Sequence, residues 1–294
     1  MLSINTDYYI GEDLYSDGDI EDELLQIVQQ QSDFNQVILN DDRWPILYHL
    51  SPIRRNLLEW FPFNPSSSLL EVGAGCGALT GLFCEKVHSV TAVEISKRRA
   101  EIVANRHSSK KNLEIIVGDL NHIQFNKKFE YITLIGVLEY AGKFGDSEQP
   151  YADLIKTLRQ LLTPNGVLFV AIENKFGLKY WAGANEDHTC RLYDGIEGYP
   201  TSKDIMTFGK RELEELLGSA FTKLKFYYPV PDYKMPQQLF SDDYPPKVGQ
   251  ISGYAPNYDQ NRITLFDEQL VTDNLILNDH FDFFANSFLV VAEI

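Results

Sequence analysis

Three cysteines, three methionines and three tryptophans are all that the 294 residues carry. Cys76, Cys84 and Cys190 are too few and too scattered for a disulfide framework or a zinc site, and they fit a reducing compartment. Basic residues are also scarce: 26 Lys and Arg stand against 42 Asp and Glu, a net charge of −16. Nucleic-acid binding driven by phosphate neutralisation needs a basic face, so no nucleic-acid partner is expected. The acid excess is partly local, concentrated in "GEDLYSDGDIEDELL" (11–25). No apolar run approaches the ~20 residues that cross a bilayer. The N-terminus lacks a basic stretch followed by an apolar one, so no secretory signal is read. The expectation is a soluble, cytoplasmic chain without membrane insertion.

What is present is alternation. "SLLEV" (68–72), "SVTAVEI" (89–95), "LEIIVGD" (113–119), "YITLIGVLEY" (131–140) and "VLFVAIEN" (167–174) read as strands. Their near-continuous apolar runs suit parallel strands buried on both faces. Between them "ALTGLFCEKV" (78–87), "KRRAEIVANRH" (97–107) and "YADLIKTLRQLL" (151–162) read as helices, the last stopped by the turn "TPNG". This is a doubly wound, Rossmann-like α/β pattern. A further helix, "KRELEELLGSA" (210–220), and two strands, "FTKLKFYYPV" (221–230) and "NSFLVVAEI" (286–294), complete it. Residues 1–65 form an N-terminal extension with helical signals at "EDELLQIVQQQ" and "SPIRRNLLEWF". Residues 66–294 form the main domain, with insertions at about 174–208 and 229–285.

The stretch "LLEVGAGCGALTG" satisfies two cofactor fingerprints. Gly73, Gly75 and Ala78 fit the dinucleotide loop, while Gly73, Gly75 and Gly77 behind Glu71 fit an acidic-x-G-x-G-x-G loop. A dinucleotide loop brings backbone N–H groups onto a pyrophosphate, and an adjacent carboxylate works against that ligand. The same carboxylate can hold a cationic amino-acid tail, or stand as a solvated strand-end charge. Glu94, about 20 residues on, can accept ribose hydroxyls of either cofactor. Asp119 can accept the exocyclic amine of adenine, or cap a turn.

In order and spacing, "LEVGAGCGALT", "VTAVEIS", "IIVGDL" and "FEYITLIGVLEY" resemble the successive motifs of class I S-adenosylmethionine-dependent methyltransferases. The resemblance implies a seven-stranded sheet whose last strand is antiparallel, carrying two lid insertions. It implies that Glu71, Gly73, Ala74, Gly75 and Gly77 hold the methionine part of S-adenosylmethionine. Glu94 with Ile95 would hold the ribose, Asp119 with Leu120 the adenine, and Gly136 with Val137 would sit near the sulfonium.

The acceptor is written elsewhere. Amino methyltransferases acting on adenine or glutamine usually place Asn/Asp-Pro-Pro-Tyr at the fourth strand's tip, where this chain has "GVLEY". Ligands of open α/β sheets bind outside the carboxyl ends of the strands, where the two insertions begin. The first insertion holds Glu186, Asp187 and His188 together, so His188, oriented by a carboxylate such as Asp187, is the candidate base. "EDH" also reads as a loop hydrogen-bond network that only shapes the lid. Glu173 and Asn174, at the fifth strand's tip, are the alternative pair for positioning or deprotonating an acceptor. Asp187, His188 and Asp194 are too loosely spaced to assign a metal. The aromatics, amides and carboxylates of "YYPVPDYKMPQQLFSDDYPPK" suit a polyhydroxylated acceptor, or close the lid's own core.

A narrower resemblance, carried by "YHLSPIRRNLLEWF", "IENKFGLKYWAGANEDHT", "GIEGYP" and the stretch just quoted, is to bacterial methyltransferases found beside or fused to glycosyltransferases of surface-polysaccharide assembly. It implies O-methylation of a sugar or glycan intermediate and a glycosyltransferase as partner. Methylation of a small natural product or peptide, and a non-catalytic cofactor-binding module, are the alternatives. Tyr48 and Arg54 stand as cofactor-capping candidates, with packing and surface roles as the other reading.

Overall fold

A computed structural model describes residues 2–145, 147–201, 203–252 and 262–294. Its strands are β1 (Ile4–Tyr8), β2 (Ser68–Val72), β3 (Ser89–Glu94), β4 (Leu113–Gly118), β5 (Phe129–Ile135), β6 (Leu162–Glu173), β7 (Lys223–Val230), β8 (Gln238–Ser241) and β9 (Ser287–Glu293). They are ordered β1-β4-β3-β2-β5-β6-β9-β7-β8. The seven expected strands are all there, with β9 antiparallel to β7. The count of seven is corrected to nine, because a short strand is added at each edge.

The chain divides into two compact units, Met1–Leu134 with Gln160–Val167, and Ile135–Arg159 with Leu168–Ile294. In the first unit β1, β4, β3, β2 and β5 pair in parallel. Leu69, Leu70, Val90, Ala92, Ile115, Val117, Ile132 and Leu134 bury their side chains almost completely, as strands covered on both faces must. The edge strand β1, "INTDY", is polar and half exposed, which is why no apolar pattern announced it.

The N-terminal residues fold onto this unit. Helix Ile20–Gln30 places Leu24 and Val28, one turn apart, into a cluster with Ile46, Leu50, Cys76 and Ile102. "SPIRRNLLEWF" forms only a 3-10 helix, Pro52–Leu57, capped by Ser51. The short helices Asn35–Asn40 and Trp44–Leu50 were not anticipated.

In the second unit β9 buries every side chain from Ser287 to Ala292 and pairs with β7, which forms a hairpin with the edge strand β8. Helix Lys210–Gly218 buries Leu213 and Leu217. The second insertion carries β8 and helices Glu268–Leu277 and Phe281–Phe284; its residues 253–261 lie outside the described residues.

Two boundaries depart from the pattern. The helix Pro150–Leu161 does stop before "TPNG", but that stretch is not a turn: β6 starts at Leu162 and runs through Pro164 and Asn165, both exposed at the strand's beginning, where a missing N–H is tolerated. The fourth expected strand ends at Ile135, not at Tyr140. Gly136 turns the chain with φ +66°, and Leu138–Tyr140 forms a 3-10 turn. A Cβ at Gly136 would lie 2.9 Å from the Tyr233 hydroxyl, so the turn requires glycine on both counts. Among the described residues no helix is long and apolar enough to cross a membrane.

Candidate active site

The first unit carries the glycine loop between β2 and helix Thr80–Lys86. Gly73 and Ala74 donate their N–H groups to the Val93 carbonyl at 2.9 and 3.0 Å, which fastens the loop to β3. Gly75 N–H donates to Glu94 Oε2 at 2.7 Å, and Ser96 N–H donates to Glu94 Oε1 at 3.0 Å. Gly73, Gly75 and Gly77 all have positive φ. At Gly75, with φ +55°, a Cβ would meet nothing within 4 Å, so the backbone faces open space there. A loop that is left-handed, anchored and open on one side is a cradle for a ligand. At Gly77 the space is instead taken by His107, which donates from Nε2 to the Gly77 carbonyl.

Two carboxylates flank the cradle. Glu71 is 5% exposed and accepts a 2.7 Å hydrogen bond from Thr80 Oγ1. Burial raises its pKa to about 8, with Glu94 adding to the rise and Thr80 opposing it. Burial also raises the pKa of Glu94, against Arg99 and the backbone donors. A cation arriving beside Glu71 would favour its ionised form and bring that pKa back down.

Nearby, Arg54 is 6% exposed and its guanidinium lies 3.9 Å above the ring of Tyr48. It makes no hydrogen bond to a described residue, yet its charge acts on Glu71. The remaining candidates of this unit are in place: Ala74 and Leu120 are buried and Ile95 half-buried. Asp119 accepts from Asn121 N–H at 2.9 Å, so it caps the turn Leu120–His122. Cys76 is buried in the core cluster, where burial pushes its thiol up to about 12, an inert packing residue.

The second unit holds Gly136 and Val137, both half-buried, and the acid–base candidates. Here the structure sorts the four expected residues. Asn174 spends its side chain on the backbone: Nδ2 donates to the Phe283 and Ala285 carbonyls at 2.7 Å each, and Oδ1 accepts from Phe176 N–H. It braces the chain and has little left for an acceptor.

Asp187 is spent on cations. It pairs with Lys179 Nζ at 2.7 Å and Lys234 Nζ at 3.4 Å, and accepts from the Tyr180 hydroxyl. Burial opposes its charge, but the two lysines outweigh burial and hold the carboxyl far below the usual range. Glu186, not Asp187, orients His188: Glu186 Oε1 lies 3.0 Å from Nδ1, and Oε2 accepts from the His188 and Thr189 N–H groups. The Tyr199 hydroxyl donates to Glu186 Oε1 at 3.2 Å.

His188 Nε2 faces Glu139 Oε1 at 3.7 Å. Both ring nitrogens therefore face carboxylates, which favours the imidazolium. Burial works against that charge, but Glu139, Glu186 and Glu173 outweigh it and raise the His188 pKa well above its ordinary value. A protonated ring has no lone pair to accept a proton, so the reading of His188 as a base with its ordinary pKa is revised.

The residues brought together are Glu139, Glu173 and His188. Glu139 Oε2 and Glu173 Oε2 are buried and accept no hydrogen bond. Lys234 Nζ lies 2.6 Å from Glu173 Oε1 as an ion pair without hydrogen-bond alignment. Asp194, expected as a neighbour, is not part of this group. Glu139 and Lys234 were not singled out as site residues. "GVLEY" showed an acid at the strand tip, but "DYKM" gave no sign that its lysine would reach Glu173.

Residues 70–168 match the family described as a methyltransferase domain. The likeness is to methyltransferases, whose methyl donor is S-adenosylmethionine, and the open glycine cradle with its flanking acids fits that cofactor.

Among individual proteins, the ribosomal RNA small subunit methyltransferase A of Fusobacterium nucleatum is 22% identical over 180 residues, covering 60% of this chain and 64% of that protein. The ubiquinone biosynthesis O-methyltransferase of Pelagibacter ubique is 29% identical over 142 residues, covering 44% of this chain and 56% of that protein. The chain thus spans less than two thirds of the length of these curated relatives. The phosphoethanolamine N-methyltransferase 1 of Haemonchus contortus, solved with phosphoethanolamine and S-adenosylhomocysteine, aligns over 94% of this chain and 48% of its own. It does so with a TM-score of 0.50 and 13% identity, a likeness of fold. The fold is the Rossmann-like one of methyltransferases.

Proposed function

We propose that the protein is an S-adenosylmethionine-dependent O-methyltransferase whose acceptor is a hydroxyl of a sugar or glycan intermediate in polysaccharide biosynthesis. One observation carries the choice of oxygen: two buried carboxylate oxygens, Glu139 Oε2 and Glu173 Oε2, accept no hydrogen bond. A hydroxyl is a weak nucleophile until its proton is taken, and a desolvated carboxylate within hydrogen-bond reach is suited to take it. The sulfonium of the bound cofactor supplies an electrophilic methyl group. Glu71 binds the ammonium of its amino-acid end, Arg54 on Tyr48 binds the carboxylate, and Glu94 the ribose. Glu139 and Glu173 orient the acceptor hydroxyl and receive its proton, while His188 and Lys234 stabilise the two carboxylates between turnovers.

The ubiquinone-pathway relative is named for transfer to oxygen, which agrees with this reading. The ribosomal RNA relative favours an RNA acceptor, but this chain has "GVLEY" at the strand tip and a net charge of −16. Neither feature suits a planar amine on a polyanion. The sugar itself is supported by the resemblance to polysaccharide-associated methyltransferases and by the aromatic and amide content of the insertions.

The test is incubation with methyl-labelled S-adenosylmethionine and, in parallel, nucleotide sugars, lipid-linked glycans and ribosomal RNA. Label in an alkali-stable ether on a sugar is the expected result. Label in RNA alone would overturn the acceptor assignment.

A further inference from the structure

The three side chains that converge in the second unit come from three separate segments. Glu139 lies on the turn after β5, Glu173 ends β6, and His188 follows in the first insertion. One ligand-type atom from each lies within 4.8 Å of the others. An ion with bonds of ~2.1 Å holds opposite ligands ~4.2 Å apart, so modest side-chain rotations would bring all three to one centre.

The carboxylates are 1% and 0% exposed, and each keeps an oxygen that accepts no hydrogen bond. Removing a carboxylate from water costs several kcal/mol unless it is paired and hydrogen-bonded. Five carboxyl groups, those of Glu139, Glu173, Glu186, Asp187 and Asp232, stand here against two lysines, Lys179 and Lys234, because a histidine that ligates a metal is neutral. A divalent ion would offset most of that imbalance.

Lys234 already spans Glu173 Oε1 and Asp187, so it need not leave for an ion to reach Glu173 Oε2. Glu186 at Nδ1 would fix the ring with Nε2 turned toward Glu139, as a carboxylate commonly does behind a metal-bound histidine.

We propose that Glu139, Glu173 and His188 bind one divalent cation of the kind that accepts mixed carboxylate and imidazole ligands, Mn2+ being the probe. Three protein ligands leave coordination positions open, and adjacent hydroxyls of a sugar could fill them. The proposal deepens the O-methyl transfer reading and rests on the same site: with the ion bound, Glu139 and Glu173 hold the cation instead of taking the proton, and an acceptor hydroxyl coordinated to it loses its proton to solvent water. Binding of the ion, however, is measurable without any transfer.

Purified full chain, stripped with chelator, would be titrated with Mn2+ by calorimetry and by the electron paramagnetic resonance of free Mn2+. S-adenosylhomocysteine titration serves as the separate readout of an intact fold. One Mn2+ per chain is expected, with affinity lowered at least tenfold in Glu139→Gln and in Glu173→Gln while S-adenosylhomocysteine affinity stays within twofold. His188→Asn provides a third variant and should also weaken the ion at least tenfold.

Absence of Mn2+ binding to the wild-type chain overturns the proposal, as does binding that Glu139→Gln and Glu173→Gln leave unchanged. Mn2+ held at these residues with no hydroxyl acceptor ever methylated would keep the cation site and remove the O-transfer reading. Transfer that survives chelation, in a chain that binds no Mn2+, would do the reverse.

Discussion

The glycine cradle of the first unit and the acid cluster of the second solve the problem of buried carboxylates in opposite ways. In the cradle, Glu94 spends its oxygens on the N–H groups of Gly75 and Ser96, and Glu71 accepts from Thr80 nine residues on. These donors are close in sequence and mostly backbone. In the cluster, Glu139, Glu173 and Asp187 face Lys179, Lys234 and His188, side chains contributed by segments up to 95 residues apart, and several oxygens stay unbonded. A local motif can carry a common cofactor because every such enzyme binds the same molecule. A cluster assembled from distant segments can change with the acceptor while the cradle stays the same.

That contrast can be broken most forcefully at Glu173. Glu173→Gln keeps the shape of the side chain but removes its basicity, so methyl transfer should fall by ~10²–10⁴-fold. S-adenosylhomocysteine affinity, read by calorimetry, should stay within twofold. Equal loss of both would mean that the two regions are not separable.

Arg54 sharpens the cofactor side. Arg54→Met keeps the stack on Tyr48 but removes the charge, and should weaken S-adenosylhomocysteine at least tenfold. It should leave 5′-methylthioadenosine, which lacks the amino-acid end, unchanged. Equal weakening of both ligands would assign Arg54 to packing.

The smallest effect concerns Glu71. Its pKa is raised from 4.5 to about 8 in the folded chain, so between those values the folded state binds more protons than the unfolded one. Stability should therefore decline as pH rises from about 4.5 to about 8 and change little above that through this group. The whole effect is on the order of a few kcal/mol at most. Glu71→Gln should flatten that slope in urea titrations at a series of pH values.

The cradle was legible because its parts are consecutive: apolar strand, Glu71, glycines, helix, then acids at the next strand ends. The β-branched runs likewise announced seven of the strands. What escaped has physical causes. β1 and β8 are short, polar edge strands without a buried face to leave a pattern. The apolar run through "GVLEY" concealed the turn at Gly136, where φ is +66° and the Tyr233 hydroxyl takes the space a side chain would need. "TPNG" has the residues of a turn, yet Pro and Gly also fit the extended start of β6. The bracing role of Asn174 could not be read either, since its partners Phe283 and Ala285 lie 109 and 111 residues away, and for Asp187 the nearby Lys179 and Tyr180 are joined by the distant Lys234.

The amino-acid sequence by itself determined the alternating architecture, the glycine loop and the two acids that bracket it, because periodicity and short-range spacing are local properties of the chain. Only the tertiary structure decided that His188 is held between Glu186 and Glu139, that Lys234 reaches Glu173, and that carboxylate oxygens of Glu139 and Glu173 are buried without donors. Charge compensation depends on distance in space and on the exclusion of water, and neither is encoded in neighbouring letters.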